Sequence, residues 1–148
     1  MAQLRTAYSA TIAAPAARVY AILTDYRGAH HRILPPKFFT GVEVVNGGQG
    51  AGTELKVSAR FFGKETTLRM IVAEPEAGRV LTETDMDTGL VTTFTVEAES
   101  ETATRVTIGT VWTSQSGFAG FLEKLLMPGQ MRRMYREELA LLDTVARF

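Results

Sequence analysis

MRRMYREELALLDTVARF (Met131–Phe148) sets its apolar residues at helical spacing and then departs from its own rule. At about 100° per residue, Met131, Met134, Tyr135, Leu139, Leu141, Leu142 and Val145 share one stripe, and Glu138 falls near its middle. An ionised carboxylate without a partner is costly to bury, so a helix closing a dry core would carry a leucine there. The stripe is expected to face something wet, something basic or a ligand, with a cavity as the leading expectation. Arg132, Arg133, Arg136 and Arg147 fall off the stripe, interleaved with Glu137 and Asp143, as a solvated face would.

Just upstream, Phe118, Phe121, Leu122, Leu125 and Leu126 again follow helical spacing, until Pro128-Gly129. Proline inside a helix removes one hydrogen bond and clashes with the preceding turn, so a kink or break is expected there. Almost everything from Phe38 to Thr113 reads as strand. A two-residue type II′ turn at Gly63-Lys64 would set Leu55 opposite Val72, Val57 opposite Met70, and Ala59 opposite Leu68, all on one face. A three-residue turn over Asp87-Thr88-Gly89 would set Val80, Thr82, Thr84 and Met86 opposite Val96, Phe94, Thr92 and Leu90. Val106, Ile108, Thr110 and Trp112 supply the last strand, after an exposed loop over Glu99 to Ala103.

At the other end, Leu4 to Ala13 reads as a strand, and Pro15 to Tyr26 as a short amphipathic helix with proline in its first turn. Asp25 to Pro36 reads as a second short helix entering a stiff loop. The order is one strand, two short helices, six strands and a long helical segment. Consecutive hairpins make an antiparallel sheet with one face to bury, and only the terminal helix is long enough to cover it.

The 148 residues suit one domain, 1–148. Sixteen basic and sixteen acidic residues leave no bulk field for nucleic acid or an anionic membrane. The absence of cysteine excludes disulfides and thiolate chemistry and fits a reducing cytoplasm. Met1 to Ala10 lack the build of a signal peptide, and no apolar run approaches the ~20 residues of a membrane span. A cytoplasmic protein without integral membrane association is expected.

Several stretches carry a family resemblance: Thr11-Ile12-Ala13-Ala14-Pro15 with Val19 and Asp25; His30-His31-Arg32-Ile33-Leu34-Pro35-Pro36; Gly47-Gly48-Gln49-Gly50-Ala51-Gly52-Thr53; Glu74-Pro75 with Gly78-Arg79-Val80-Leu81; and Thr104-Arg105-Val106-Thr107. In order and spacing the chain resembles the START-like (SRPBCC) superfamily, which includes the pollen-allergen type proteins, and within it bacterial members of the polyketide cyclase/dehydrase type. The resemblance implies the α+β helix-grip fold: a curved antiparallel sheet of about seven strands wrapped around a long C-terminal helix, with two short helices after the first strand. It also implies a glycine-rich loop near the entrance of a ligand pocket.

Glu138 then has three readings: a general acid or base, a hydrogen-bonding anchor for a ligand, or a side chain that reaches the sheet edge or pairs with an arginine. Tyr135, three residues earlier, can act with it. Thr66, Thr82, Thr84, Thr92 and Thr110, beside Ala59, are expected on the inward face, either lining a pocket or serving as strand formers. The expected ligand contacts are Val57, Ala59, Met70, Thr82, Thr84, Thr92, Phe94, Met131, Met134, Tyr135, Glu138 and Leu142, with Glu138 and Tyr135 as the catalytic candidates. His30 and His31 point apart in either secondary structure; a solvated loop pair is the leading reading, and one of them lining a cavity mouth and titrating near neutrality is the alternative. No metal or cofactor is expected, and Gly47–Gly52, followed by a strand, reads as a turn rather than a phosphate loop. Binding of a small, largely apolar molecule is the leading expectation. A cyclase/dehydrase using Glu138 and Tyr135 for proton transfer is the alternative, and a protein- or membrane-gripping role for Phe118 to Met127 is a third.

Overall fold

The computed structural model describes residues 2–147. Met1 and Phe148, the outer ends of the expected domain and terminal helix, lie outside the described residues. The elements are β1 (Gln3–Ile12), α1 (Ala16–Thr24), a 3-10 helix (Ala29–Ile33), β2 (Phe39–Asn46), β3 (Glu54–Phe61), β4 (Lys64–Glu76), β5 (Val80–Asp85), β6 (Val91–Ala98), β7 (Thr104–Thr113) and α2 (Gly117–Arg147). The seven strands form one antiparallel sheet in the order β1-β7-β6-β5-β4-β3-β2. The first two strands therefore lie at opposite edges, and α1 and the 3-10 helix carry the chain between them. This is the helix-grip architecture, with α2 against the buried face.

Both hairpins depart from the expected register, with different consequences. Phe61 pairs with Lys64, so the turn is Phe62-Gly63, and both of its residues have positive φ, 53° and 76°. That is the type I′ pattern, whose twist matches the flanking strands. Leu55 faces Met70, Val57 faces Leu68 and Ala59 faces Thr66. The slip is two residues, so every side chain keeps its face.

At the other hairpin Leu81 pairs with Phe94, Glu83 with Thr92, and Thr84 with Val91. The slip is one residue, and a one-residue slip turns a strand over. Leu81 and Asp85 are buried with Phe94 and Val96, and Thr82 and Thr84 move to the other face. The cause is Asp85. Its backbone N–H bonds the Leu90 carbonyl (2.8 Å) and its own carbonyl takes the Gly89 N–H (2.9 Å). Its carboxylate accepts the Arg69 and Thr88 N–H groups and the Thr88 hydroxyl. The loop is one residue longer than expected.

The expected break at Pro128-Gly129 is absent: α2 is continuous from Gly117 to Arg147 with Pro128 inside it. Lys124, whose carbonyl loses its helical donor, is exposed, so water meets it. The Thr6 hydroxyl bonds the Pro128 carbonyl (3.3 Å). The helix start is fixed by Glu123, which accepts the Trp112 Nε1–H (2.7 Å) and the Gln115 N–H (2.9 Å). A side chain at Gly120 would collide with the Gln115 carbonyl.

Candidate functional site

Between the sheet and the C-terminal half of α2 lies a cavity of about 100 Å³. From the expected contacts, β3 and β4 bring Val57, Ala59 and Met70 to its wall, β6 brings Thr92 and Phe94, and α2 brings Met131, Met134, Tyr135 and Glu138. Three expected contacts are elsewhere. Thr82 and Thr84 lie on the other face of β5, and Leu142 is fully buried beyond the cavity wall. Of the other two threonines, Thr110 lines the cavity, whereas Thr66 is exposed.

The structure adds Glu83 and His30, together with an apolar mouth that includes Leu34, Phe39, Val42 and Phe61. Glu83 enters because β5 is turned over. His30 enters because the 3-10 helix is pinned: Asp25 accepts the Ala29 N–H (2.9 Å), and His30 Nδ1 donates to the Leu23 carbonyl (2.7 Å). The two histidines do point apart, with His30 buried and His31 exposed. The glycine-rich loop does not reach the cavity wall. It is tied instead to the end of α1 and to β4, through Gly50 N–H to Thr24, Tyr26 N–H to Gly48, and Ala51 N–H to the Glu74 carboxylate.

The polar groups form two clusters. Thr92, Thr110 and Tyr135 make a hydroxyl chain, with Thr92 and Thr110 2.8 Å apart and Tyr135 bonded to Thr110. Burial raises the Tyr135 hydroxyl pKa against the Thr110 bond, which acts to lower it, so this hydroxyl stays protonated. In the second cluster the Tyr26 hydroxyl donates to Glu83 (2.7 Å), its ring stacks on His30 at 4.5 Å, and His30 Nε2 stands 3.8 Å from Glu83. That last separation is too long for a hydrogen bond. Burial pushes His30 down to about 4 although its bond to Leu23 opposes this, so near neutrality Nε2 is a lone-pair acceptor and not half of an ion pair.

Glu138 is 3% exposed, and among the described residues no hydrogen bond reaches its carboxyl. Among the described residues no buried side-chain oxygen or nitrogen is both unpaired and closed off from open space, so the Glu138 oxygens open onto the cavity. Burial pushes this carboxyl well above the usual carboxylate range, and the charge of Glu83 adds to the effect. Burial also pushes Glu83 up to about 7, against the Tyr26 hydrogen bond, which favours its ionised form. Among the described residues no lysine or arginine lines the cavity. The site therefore offers two carboxyls in a largely apolar space: Glu138 on α2, shifted by burial toward its protonated, donor form, and Glu83 on β5, close to its titration midpoint near pH 7. Among the described residues no group of three metal-ligating side chains is placed to hold an ion.

A family model described as "Polyketide cyclase / dehydrase and lipid transport" matches residues 3–147. The chain belongs to that family. Among solved structures it is similar to the KanY protein solved by NMR, with 28% identity, a TM-score of 0.85 and 100% of both chains covered. It is similar in fold to the Zhui aromatase/cyclase of Streptomyces sp. R1128, with 17% identity, a TM-score of 0.82, and 99% of this chain and 94% of that one covered. A START superfamily protein from Mycobacterium smegmatis shares the fold at 13% identity and a TM-score of 0.74, with 97% of each chain covered. No curated protein matches the chain in sequence. No helix among the described residues is long and apolar enough to cross a membrane.

Proposed function

We propose that the cavity binds a small, largely apolar molecule carrying a hydroxyl or keto group that meets Glu138. The observation that carries this reading is Glu138 itself, a buried carboxyl without a hydrogen-bond partner among the described residues, opening onto a largely apolar wall. An unsatisfied polar group of this kind costs about 1–3 kcal/mol, and a ligand hydroxyl or carbonyl relieves that cost. In its protonated form, which burial favours, Glu138 donates to a carbonyl, and Glu83 or His30 Nε2 accepts from a hydroxyl.

A second reading is favoured by the presence of two carboxyls of different environment in one cavity. Pairs whose pKa values are pushed apart suit acid and base roles. A polyketide cyclase/dehydrase-type enzyme would use Glu138 as acid, Glu83 as base and the Tyr135 hydroxyl as a further donor, closing or dehydrating a poly-ketone chain held in near-attack geometry. The two readings separate on Glu138→Gln. A carrier keeps its affinity within a few-fold, because the amide still hydrogen-bonds, whereas an enzyme keeps binding but loses turnover.

The binding reading is tested with the neutral fluorophore N-phenyl-1-naphthylamine. Wild type is expected to bind it with a blue-shifted emission, and Ala59→Trp, which fills the wall where Ala59 is 5% exposed, is expected to weaken it by about tenfold or more, the cost of overpacking. Unchanged affinity in an Ala59→Trp variant with a native circular dichroism spectrum refutes the assignment.

A further inference from the structure

The cavity of about 100 Å³ is small beside the ~300–1,000 Å³ of ordinary small-molecule sites. Against it lies a second, more open pocket of about 210 Å³, lined by His31, Leu34, Pro36, Phe39, Thr40, Gly41 and Val42. Leu34, Phe39 and Val42 line both spaces, so three apolar side chains are the partition between them. All three are only half-buried. Leu34 follows the 3-10 helix, and Phe39 and Val42 sit on β2, an edge strand held only by β3. The pairing of β2 with β3 shifts register between Phe39 and Gly41, within that wall. An edge strand with broken pairing opens locally at low cost.

We infer that the two spaces are rooms of one site, and that its ligand is a chain-like amphiphile whose polar end lies by Glu138 and whose apolar tail passes Leu34, Phe39 and Val42 into the outer room. This rests on the binding reading above and adds the shape of the ligand to it. Three observations carry the assignment. The inner room alone is smaller than ordinary small-molecule sites, and joining the outer one brings the site to the lower end of the usual range of ~300–1,000 Å³. Every polar side chain of the inner room, from His30 to Glu138, is absent from the shared wall, so what crosses the wall must be apolar. Finally, the 3-10 helix sends His30 into the inner room and His31 into the outer one, so one rigid turn borders both.

The test is displacement of N-phenyl-1-naphthylamine by the n-alkanols hexanol, octanol, decanol and dodecanol, with wild type and Thr40→Trp, which plugs the outer room from an exposed position. Each buried methylene is expected to tighten binding about fourfold. In wild type the gain should continue beyond octanol. In Thr40→Trp it should stop there, with hexanol affinity unchanged within about twofold. A gain that stops at the same short chain in both proteins, or continues equally in both, overturns the two-room site while leaving the inner-cavity reading intact. Failure of the fluorophore or of every alkanol to bind overturns the binding reading and the two-room site together.

Discussion

The two halves of α2 invert the usual relation between side-chain type and burial. From Gly117 to Gln130 the helix presents Phe118, Phe121 and Leu125 at 75%, 60% and 64% exposure. From Met131 onward it buries a glutamate among Met134, Tyr135, Leu139 and Leu142. The division falls just after Pro128. Glu123 ties the N-terminal half to Trp112 near the helix start, whereas the α2 residues that line the cavity all lie from Met131 onward. The difference teaches that apolar spacing alone does not predict burial: both halves carry a helical stripe, and only the one placed over the sheet is covered.

The largest expected effect is on the buried half. Leu142→Ala should lower unfolding free energy by about 2–5 kcal/mol in urea denaturation, as for other fully buried leucines. A loss under about 1 kcal/mol would break the contrast between the halves. Next, Glu138→Leu should raise the stability of the empty protein by about 1–3 kcal/mol by removing a poorly satisfied buried carboxyl, while weakening any ligand with a hydroxyl or keto group. Reduced stability together with unchanged affinity would make Glu138 structural.

The third expectation is a pH dependence. Glu138 and Glu83 have folded pKa values above the usual 4.5, so the folded protein holds protons that the unfolded chain releases, and stability falls as pH rises through that window. His30 acts oppositely, since its folded value of about 4 lies below 6.5, and its contribution grows with pH until about 6.5. Below that the histidine cancels one carboxyl. Between about 6.5 and 7 the histidine no longer opposes the carboxyls. Stability should therefore fall between about pH 6.5 and 7, at roughly 1 kcal/mol per pH unit, and Glu138→Gln should flatten the fall with rising pH. A rising slope in wild type would mean that Glu138 has a cationic partner. The smallest effect belongs to the exposed half: Phe121→Ser should change stability by less than about 0.5 kcal/mol, and a larger loss in thermal melts would show that this stripe is covered in solution.

The fold was legible because element order, turn residues and a single long helix leave few ways to bury one sheet face. Glu138 was legible for a related reason, as a polar residue interrupting a regular stripe. Glu83 was not. In Val80-Leu81-Thr82-Glu83-Thr84-Asp85 the apolar residues divide between the two phases, Val80 on one and Leu81 on the other, so alternation does not choose a face. The choice falls to the turn, where the Asp85 carboxylate recruits three donors and adds a residue to the loop. An aspartate four residues before a glycine was the available signal. Thr82 and Thr84 were assigned inward because the three-residue turn set the wrong phase for β5. Which histidine lines the cavity was not legible, because the placement of His30 depends on a tertiary contact, the Leu23 carbonyl. At Gly63 the same kind of turn error was harmless, since a slip of two residues keeps every face.

The pairing of β1 with β7, Gln3 beside Thr113 and Ile12 beside Thr104, has a bearing on how this protein is made. On the ribosome, β1 emerges first and its partner almost last, and at about 5–20 residues per second the wait lasts several seconds or more. During that time β2 to β6 can zip as successive hairpins, each closing a short loop. The amino-terminal strand has no ladder to join and remains an open edge, available to a neighbouring nascent chain. Because α2 packs against β1, the sheet edge and the cavity roof are completed in the same late step, so a chain stalled before β7 has hairpins but no binding site.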